Sequence, residues 1–344
     1  MTEAAPSLRV GVIGLGDVLD AHLAGLTRAG ARITAACDIR ASRAAEVAAA
    51  HQADAFQHYE ELLASGLVDA VDILLPHHLH EEVAAAALSA GAHVLIEKPA
   101  ARSAAAVRRL RDLADSHGRV FAVAENTRLV HAYEAVGRLL KSGSLGEVEV
   151  VRTLICGNDA KSLSNANDWR GRKELAIGGA LFDGGAHSFY LLEWLFGGAE
   201  TVLATARTRT AGCEVEDFAL ATGRLRDGGS YVTEYFFAVE VPWTERLEVY
   251  GSRGSCIVDQ LMGPPVVHLR DSHDVVGAPI EKVDHDPTGW KAKSIAAVAT
   301  DFVDSVTSRR DPCVELDHIF RAAASIEGAY RSALNGGEVP LEIA

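Results

Sequence analysis

Several features that would define other classes of protein are missing from this sequence. The 344-residue chain has only five cysteines, which lie far apart and never form a CxxC pair. We therefore expect neither a disulfide framework nor a zinc cluster, and a reducing cytoplasm suits the chain best. No apolar run approaches the ~20 residues that a membrane span requires, and no basic-then-apolar leader opens the chain. We expect no membrane association and no signal peptide.

Positive charge is also scarce. Lys and Arg number 33 against 47 Asp and Glu, which gives a net charge of −14. Since no basic block or stripe is available to neutralise phosphate groups, we expect no nucleic-acid partner. The chain is 48% hydrophobic and 23% charged, as in an ordinary globular protein, and it is long enough for two domains.

Strand-like and helix-like segments alternate through the first third of the chain. Apolar runs that end in glycine, proline or a polar residue predict strands at 8–16, 31–38, 68–76, 92–99 and 119–126. Segments of strong helix formers lie between them. This alternation predicts an α/β domain over residues 1–125, built on a parallel sheet with helices on both faces.

The pattern changes after about residue 145. Successive strand-like segments follow one another without crossover helices, which predicts an α+β domain over residues 126–344 on a large, mostly antiparallel open sheet. Helices are predicted at 180–198 and in two segments near the C-terminus. An open sheet face needs cover, so we expect a homodimer or homotetramer.

A glycine pair joins the first predicted strand to the first helix. Gly14 allows a tight turn, and Gly16 lets a pyrophosphate approach backbone N–H groups at the helix N-terminus. Asp38 ends the second predicted strand, 22 residues after Gly16, where a carboxylate can accept hydrogen bonds from a ribose. The alternative is a plain strand–turn–helix with turn glycines.

A second short stretch, "GGALFDGGAHSFY" at 178–190, raises a different question. Asp183 and His187 are four residues apart and share one face of a helix, yet Gly184 and Gly185 lie between them. Each glycine costs a helix up to about 1 kcal/mol relative to alanine. We interpret the pair as a place where another group comes very close to the helix backbone.

These stretches, in this order, resemble the glucose–fructose oxidoreductase / inositol dehydrogenase / MocA (Gfo/Idh/MocA) family. The resemblance rests on "GVIGLGDVLDAH" at 11–22, on the tripeptide Glu97-Lys98-Pro99 after a strand, and on the Asp-x-x-x-His pair. It implies a Rossmann domain, a C-terminal α+β domain and nicotinamide-dependent oxidation or reduction of sugars, cyclitols and related carbonyls. The sequence departs from the family pattern at Leu19, where a small residue is usual, and at Tyr190, where relatives often carry an acid.

The resemblance also implies roles for individual residues. Lys98, Asp183 and His187 match the family's catalytic lysine, aspartate and histidine. The group that comes close to the helix backbone at Gly184 and Gly185 would then be the nicotinamide or the substrate. His187 would act as the base, since an imidazole titrates near neutrality, Asp183 would orient it or bind a neighbouring hydroxyl, and Lys98 would hold the reacting oxygen. The alternative is a surface Asp–His pair and a lysine with no catalytic role.

Further site residues are predicted at strand ends and beside the Asp–His helix. The residues predicted to bind the cofactor are Gly14, Gly16, Asp17, Val18, Asp38, Ile39, Arg40, Leu75, Pro76, His80, Glu97, Lys98 and Asn126. The residues predicted to bind substrate are Lys98, Arg128, Trp169, Arg170, Asp183 and His187. For Trp169 and Arg170 a packed tryptophan with a surface arginine is an equal alternative. His77, His78 and His80 form an HHxH cluster, but no ligands follow at zinc spacing, so we expect no metal.

Asp38 favours NAD over NADP, because its carboxylate would repel a 2′-phosphate; Arg40 and Arg43 are the counter-argument, since either could pair with that phosphate. The predicted reaction is hydride transfer between nicotinamide and a ring secondary alcohol or ketone of a sugar, cyclitol, amino-sugar or glycoside. Two alternatives stay open: a redox-neutral NAD-dependent enzyme that cleaves glycosides, and a non-catalytic dinucleotide-sensing regulator on the same fold. A sensor has no need of Lys98, Asp183 and His187 together.

Overall fold

The computed structural model describes residues 7–260, 266–271, 274–279 and 289–341. The chain forms two compact units. The first contains residues 1–126 and 292–316, and the second contains residues 127–291 and 317–344.

The first unit is built on a six-stranded sheet in the order β3-β2-β1-β4-β5-β6, with every neighbouring pair parallel. This is the strand order of dinucleotide-binding Rossmann sheets. Its strands are β1 (Arg9–Ile13), β2 (Arg32–Cys37), β3 (Asp54–Phe56), β4 (Ala70–Ile73), β5 (His93–Glu97) and β6 (Phe121–Ala124). All four residues of β4 and of β6 are buried, as expected for strands that are covered on both faces.

Helices connect these strands. They are α1 (Leu19–Arg28), α2 (Ala41–His51), α3 (Tyr59–Ala64), α4 (His80–Ser89) and α5 (Ala104–His117), followed much later in the chain by α10 (Trp290–Ser308). Local chemistry fixes some of their ends: the Ser103 hydroxyl accepts a hydrogen bond from the Ala106 N–H at 3.1 Å and caps α5.

The assignment of all residues after 125 to the second domain differs from the structure. Residues 292–316 belong to the first unit. The reason is a helix–helix contact, in which the Thr300 hydroxyl on α10 donates to the Gly25 carbonyl on α1 at 3.1 Å. An amphipathic helix near the C-terminus does not reveal from its sequence which sheet it covers.

The second unit is built on a nine-stranded sheet in the order β14-β13-β12-β11-β7-β10-β9-β8-β15. Its strands are β7 (Val148–Cys156), β8 (Thr201–Arg207), β9 (Phe218–Arg224), β10 (Ser230–Phe236), β11 (Thr244–Gly251), β12 (Gly254–Asp259), β13 (Val266–Asp271), β14 (Asp274–Pro279) and β15 (Val339–Pro340). Every pair is antiparallel except β7 with β10. The predicted α/β and α+β architecture is confirmed.

The helices of the second unit are α6 (His131–Lys141), α7 (Ala160–Leu163), α8 (Lys173–Ala176), α9 (Ala180–Phe196) and α11 (Leu316–Asn335). Along β10 the residues alternate, with Tyr231, Thr233 and Tyr235 buried and the residues between them half-exposed. The opposite face of the sheet carries exposed apolar side chains, among them Val150 and Leu203, which are 37% and 45% exposed. Among the described residues, no helix has the length and apolar character needed to cross a membrane.

Candidate active site

The turn between β1 and α1 has the backbone geometry that the glycine pair predicts. Gly14 has a φ of +91°, and a Cβ there would lie 2.5 Å from the Leu74 carbonyl oxygen, so only glycine fits. Gly16 is exposed, and a Cβ there would meet no atom within 4 Å. The backbone in front of α1 is therefore open to a ligand. Asp17 is exposed beside it and Val18, half-exposed, is the residue before the helix.

Asp38 lies just beyond the end of β2 and is 8% exposed. Its Oδ2 accepts from the Leu15 N–H at 3.1 Å, and its two oxygens accept from the Arg40 guanidinium, at 2.9 Å from Nε and 2.9 Å from Nη2. Burial opposes ionisation of Asp38, but the Arg40 guanidinium and the backbone N–H groups of Arg40 and Leu15 hold the pKa of Asp38 below its usual value. The carboxylate is thus ionised and already paired with Arg40.

The residues that follow Asp38 differ in their exposure and in the contacts of their side chains. Ile39 is 84% exposed, which is unusual for a large apolar side chain. Arg43 donates from Nε to the Leu15 carbonyl at 3.1 Å and pairs with Glu46 at 3.0 Å. Of the two arginines that could meet a 2′-phosphate, Arg43 is tethered to the glycine turn and Arg40 is held on Asp38.

The loop after β4 is closed by a buried histidine. Leu75 and Pro76 are half-exposed, but His80 is fully buried. Its Nδ1 and Nε2 lie 2.8 Å and 2.7 Å from the carbonyl oxygens of Pro99 and Leu75. Burial lowers the pKa of His80, and a neutral ring donates to one of these carbonyls at a time. His80 therefore ties two segments of the chain together and does not present its ring to a cofactor.

His22, Asp72 and Glu97, the last residue of β5, form a buried triad of titratable side chains. His22, on α1, is fully buried; its Nδ1 lies 2.9 Å from Asp72 Oδ2 and its Nε2 lies 3.1 Å from Glu97 Oε1. The other oxygen of Glu97 accepts from the Lys98 N–H at 3.1 Å. Nearby, the amide of Asn126, itself 4% exposed, donates to the Ser294 hydroxyl at 2.8 Å.

Within this triad, the pKa values of His22 and Glu97 are both shifted toward the charged form. Burial opposes protonation of His22, but the charges and hydrogen bonds of Asp72 and Glu97 outweigh it and raise its pKa to about 10. Burial likewise opposes ionisation of Glu97, but His22 and then Lys98 hold the pKa of Glu97 below its usual value. Both shifts favour the charged forms, so at neutral pH His22 is an imidazolium and Glu97 a carboxylate, with Nδ1 of the ring facing Asp72 Oδ2.

In the second unit, Asp183 and His187 lie one turn apart on α9, as predicted. The two glycines between them do not face a ligand. A Cβ at Gly184 would lie 2.7 Å from Tyr235 Cδ1, and one at Gly185 would lie 3.2 Å from Ile326 Cγ1. The glycines let α9 pack tightly against β10 and α11, so the interpretation that nicotinamide or substrate requires them is wrong.

The start of α9 is held by a carboxylate from outside the helix. The residue before α9, Gly179, has no side chain with which to cap it. Glu216 Oε1 instead accepts from the N–H groups of Gly179 and Leu181 at 2.9 Å and 3.1 Å and from the Tyr330 hydroxyl at 2.6 Å. A negative charge at this end also suits the helix dipole. Two segments of the unit, those with Glu216 and Tyr330, thus fix the start of the helix that carries Asp183 and His187.

The remaining predicted residues of this unit pack in pairs. The Arg128 guanidinium lies 4.4 Å from the centre of the Trp194 ring and pairs with Glu134 at 3.4 Å. Arg170 lies 4.9 Å from the centre of the Trp169 ring. These contacts are compatible with either interpretation of Trp169 and Arg170.

Tyr190, one of the two departures from the family pattern, is fully buried. The centre of its ring lies 6.5 Å from that of Trp194 and 6.0 Å from that of His318. Leu19, the other departure, is 1% exposed at the first turn of α1. Both departures place a large side chain in a packed interior.

A further carboxylate stands within electrostatic reach of Asp183. The pKa of Asp159, just before α7, is raised by burial and by Asp183, against the opposing effect of Arg170. His187 also lines a narrow cavity with Thr153, Ser188, Glu245 and Arg246, which has room for about one water molecule. This cavity is too small for a sugar ring.

Sequence reasoning missed His22, Asp72, Glu216 and Asp159. Asp72 left a signal, because an aspartate inside the apolar run "VDAVDILLP" must find a buried partner. The others pair through tertiary contacts that have no fixed spacing in the sequence. In the described parts of the chain, no group of three or more His, Cys, Asp or Glu side chains is arranged to hold a metal ion.

Comparison with known proteins adds an independent line of argument. Residues 8–125 match the model of an oxidoreductase family with an NAD-binding Rossmann fold, and residues 133–257 match the GFO/IDH/MocA C-terminal domain. The chain belongs to the GFO/IDH/MocA family. This confirms the family predicted from the sequence, and it makes the chain an NAD-dependent oxidoreductase.

Relatives in the GFO/IDH/MocA family cover most of the chain. It is 34% identical over 274 residues to dTDP-3,4-didehydro-2,6-dideoxy-alpha-D-glucose 3-reductase of Streptomyces violaceoruber, with 78% of this chain and 77% of that protein covered. It is 25% identical to inositol 2-dehydrogenase of Burkholderia cenocepacia, with 98% and 97% covered. Levoglucosan dehydrogenase, solved in complex with NADH and levoglucosan, has a TM-score of 0.88 at 20% identity, with 98% and 100% covered, and shows the same fold.

The residues of the first unit fit NAD, the cofactor of the GFO/IDH/MocA family. The exposed backbone at Gly16, the start of α1 and the ionised Asp38 after β2 are the groups that a pyrophosphate and a ribose require. Ile39 offers an apolar surface beside them.

Proposed function

We propose that this protein transfers hydride between NAD and a ring secondary alcohol or ketone of a sugar, cyclitol, amino-sugar or glycoside, with Lys98, Asp183 and His187 handling the proton. The observation that carries the proposal is the placement of Asp183 and His187 one turn apart on α9, a helix anchored by Glu216. The substrates named for the relatives, a deoxysugar nucleotide and inositol, support this class.

When bound, NAD supplies the hydride acceptor, and the protein must position the alcohol and take its proton. His187 accepts the hydroxyl proton, because histidine is the side chain that most often serves as a general base. Asp183, one helical turn earlier, orients that imidazole or binds a neighbouring hydroxyl. Lys98 stabilises the negative charge that develops on the reacting oxygen.

The cofactor-binding roles proposed for the first unit follow its geometry. Gly14 makes the tight turn and Gly16 leaves the backbone open for a pyrophosphate, with Asp17 and Val18 beside them. Asp38 accepts from ribose hydroxyls, flanked by Ile39 and Arg40. Leu75, Pro76, Glu97 and Asn126 border the same edge of the sheet, because each follows or ends a parallel strand. His80 supports this edge through its backbone contacts.

We also propose that the protein works in a reducing compartment and as a homodimer or homotetramer. All five cysteines are free thiols, as expected in the cytoplasm. The half-exposed face of the nine-stranded sheet carries apolar side chains, including Val150, Leu203 and Tyr250, that a second copy could cover.

The test is an NAD-reduction screen over sugars, cyclitols, amino-sugars and glycosides, followed by kinetics of His187→Ala on the best substrate. The kcat of this variant should fall by about 10²-fold or more while the affinity for NADH stays nearly unchanged, because the base is lost and the nucleotide contacts remain. The matched control is His117→Ala, which removes an exposed histidine at the end of α5. Near-normal kcat in His187→Ala would contradict the assignment.

Two outcomes of the screen would favour other functions. Glycoside cleavage without net NADH would indicate the redox-neutral reaction. NADH binding without turnover of any substrate class would indicate a sensor.

A further inference from the structure

His22 occupies a position where the pattern of α1 calls for an apolar residue. The buried face of α1 consists of Leu19, His22, Gly25 and Leu26. This i, i+3, i+4 stripe packs against the interior of the first unit, and His22 is fully buried within it. A buried polar ring is costly unless its hydrogen bonds are satisfied, so its presence here requires partners.

Both partners of His22 are carboxylates. Asp72, inside β4, is fully buried and lies at 2.9 Å from Nδ1, and Glu97, whose side chain is 14% exposed, lies at 3.1 Å from Nε2. A neutral imidazole has one N–H and would direct the lone pair of its second nitrogen at a carboxylate oxygen. Only the imidazolium donates to both. The other charged or titratable groups that act on Glu97 are Lys98 and His80.

Glu97 links this charge to Lys98. One carboxylate oxygen faces His22, and the other accepts from the backbone N–H of Lys98 at 3.1 Å. The carboxylate therefore has a fixed orientation only while His22 holds its first oxygen. Without that contact, Glu97 can rotate away from the interior, and the Lys98 N–H loses its acceptor.

We propose that His22 is a positioning residue: as a buried imidazolium anchored on Asp72, it fixes Glu97, and Glu97 fixes the backbone from which the Lys98 side chain extends. The inference rests on the proposed role of Lys98 in proton handling. It assigns to α1 a function in the chemistry as well as in nucleotide binding.

Two substitutions of His22 each keep a different one of its two hydrogen bonds, to Asp72 or to Glu97. The amide nitrogen of asparagine falls near the position of Nδ1, and that of glutamine falls near Nε2. His22→Asn therefore keeps a donor for Asp72 and loses the one for Glu97, whereas His22→Gln keeps the donor for Glu97. Both variants remove the positive charge and bury an amide, so they form a matched pair. His117→Asn, on the exposed end of α5, controls for the loss of a histidine.

The first measurement needs neither activity nor a variant. In ¹⁵N-imidazole NMR of the wild-type protein, His22 should show two protonated nitrogens throughout pH 6 to 9. The second is hydrogen–deuterium exchange of the Lys98 amide, which should be faster by about tenfold or more in His22→Asn and nearly unchanged in His22→Gln. Both readouts remain valid if the substrate class or the role of Lys98 is wrong.

The third measurement ties the geometry to the chemistry. With an active substrate, the kcat of His22→Asn should fall by about tenfold or more with little change in the KM for NAD, while His22→Gln should retain most of the kcat. A His22 ring that loses a proton between pH 6 and 9 would overturn the proposal. So would equal exchange of the Lys98 amide, or equal kcat, in the asparagine and glutamine variants.

Discussion

Replacing Glu216 by alanine tests how the helix with Asp183 and His187 is held in place. One carboxylate oxygen of Glu216 accepts three hydrogen bonds, from the N–H groups of Gly179 and Leu181 and from the Tyr330 hydroxyl. Alanine would leave all three donors without this acceptor. Losing a helix cap costs about 1 kcal/mol, and a hydrogen bond to a charged group is worth about 1.5–3 kcal/mol. We expect Glu216→Ala to destabilise the second unit by about 2–4 kcal/mol.

Tryptophan fluorescence gives a selective assay for this unit. The four tryptophans of the chain, Trp169, Trp194, Trp243 and Trp290, all belong to the second unit. Urea unfolding followed by their emission therefore reports the unit that contains α9. The slope of the transition should be unchanged and its midpoint lower, because the same surface is exposed on unfolding.

Two milder variants calibrate the result. Glu216→Gln keeps a neutral acceptor and should cost about 1 kcal/mol, mainly from the lost attraction to the helix dipole. Tyr330→Phe removes only one donor and should also cost about 1 kcal/mol. An unchanged midpoint in Glu216→Ala would refute the reasoning, as would a loss in Tyr330→Phe as large as that in Glu216→Ala.

Three further predictions concern cofactor choice, pH and assembly. Arg40→Ala should lower kcat/KM for NADP and leave that for NAD equal or higher, because Arg40, whose side chain is 62% exposed, offers a positive charge to a 2′-phosphate; steady-state kinetics with both cofactors would expose an error if NADP use were unchanged. Because the pKa of His22 is raised, its contribution to the free energy of unfolding is complete below about pH 6.5 and is lost as the pH rises to about 10; this contribution is at most about 5 kcal/mol. Urea unfolding followed by circular dichroism should show this decline in the wild type and a flatter profile in His22→Gln. Equal profiles would count against the prediction. Light scattering at micromolar concentration should show a dimer or tetramer that Leu203→Glu weakens, since Leu203 lies on the half-exposed sheet face; a strictly monomeric wild type would exclude this assembly.

Long, regular patterns in the sequence predicted most of the fold. The strand-like segments at 201–210 and 218–228 form β8 and β9. By contrast, β3 has three residues, none of them buried, and leaves no periodic signal. The antiparallel order was predictable in outline, but the parallel pairing of β7 with β10 depends on a crossover that no local pattern marks.

The candidate site was predictable where one segment supplies its geometry. The spacing of Asp183 and His187 on a single helix is local, and so is the glycine turn that opens at Gly16. The glycines of α9 were misinterpreted because a sequence shows that something comes close, but not what it is. Tyr235 and Ile326, which fill that space, are about 50 and 140 residues away in the chain, and His22 is similarly remote from Asp72 and Glu97.

The contribution of residues 292–316 to the first unit has a consequence for how the protein is made. Ribosomes extend a chain from its N-terminus, so residues 1–126 emerge more than 160 residues before α10 is complete. During that interval the surface of α1 that α10 covers is exposed, and residues 127–291 of the second unit are synthesised. The nucleotide-binding unit is therefore completed only after most of the second unit has been made, and a fragment cut after residue 126 should expose apolar surface and aggregate.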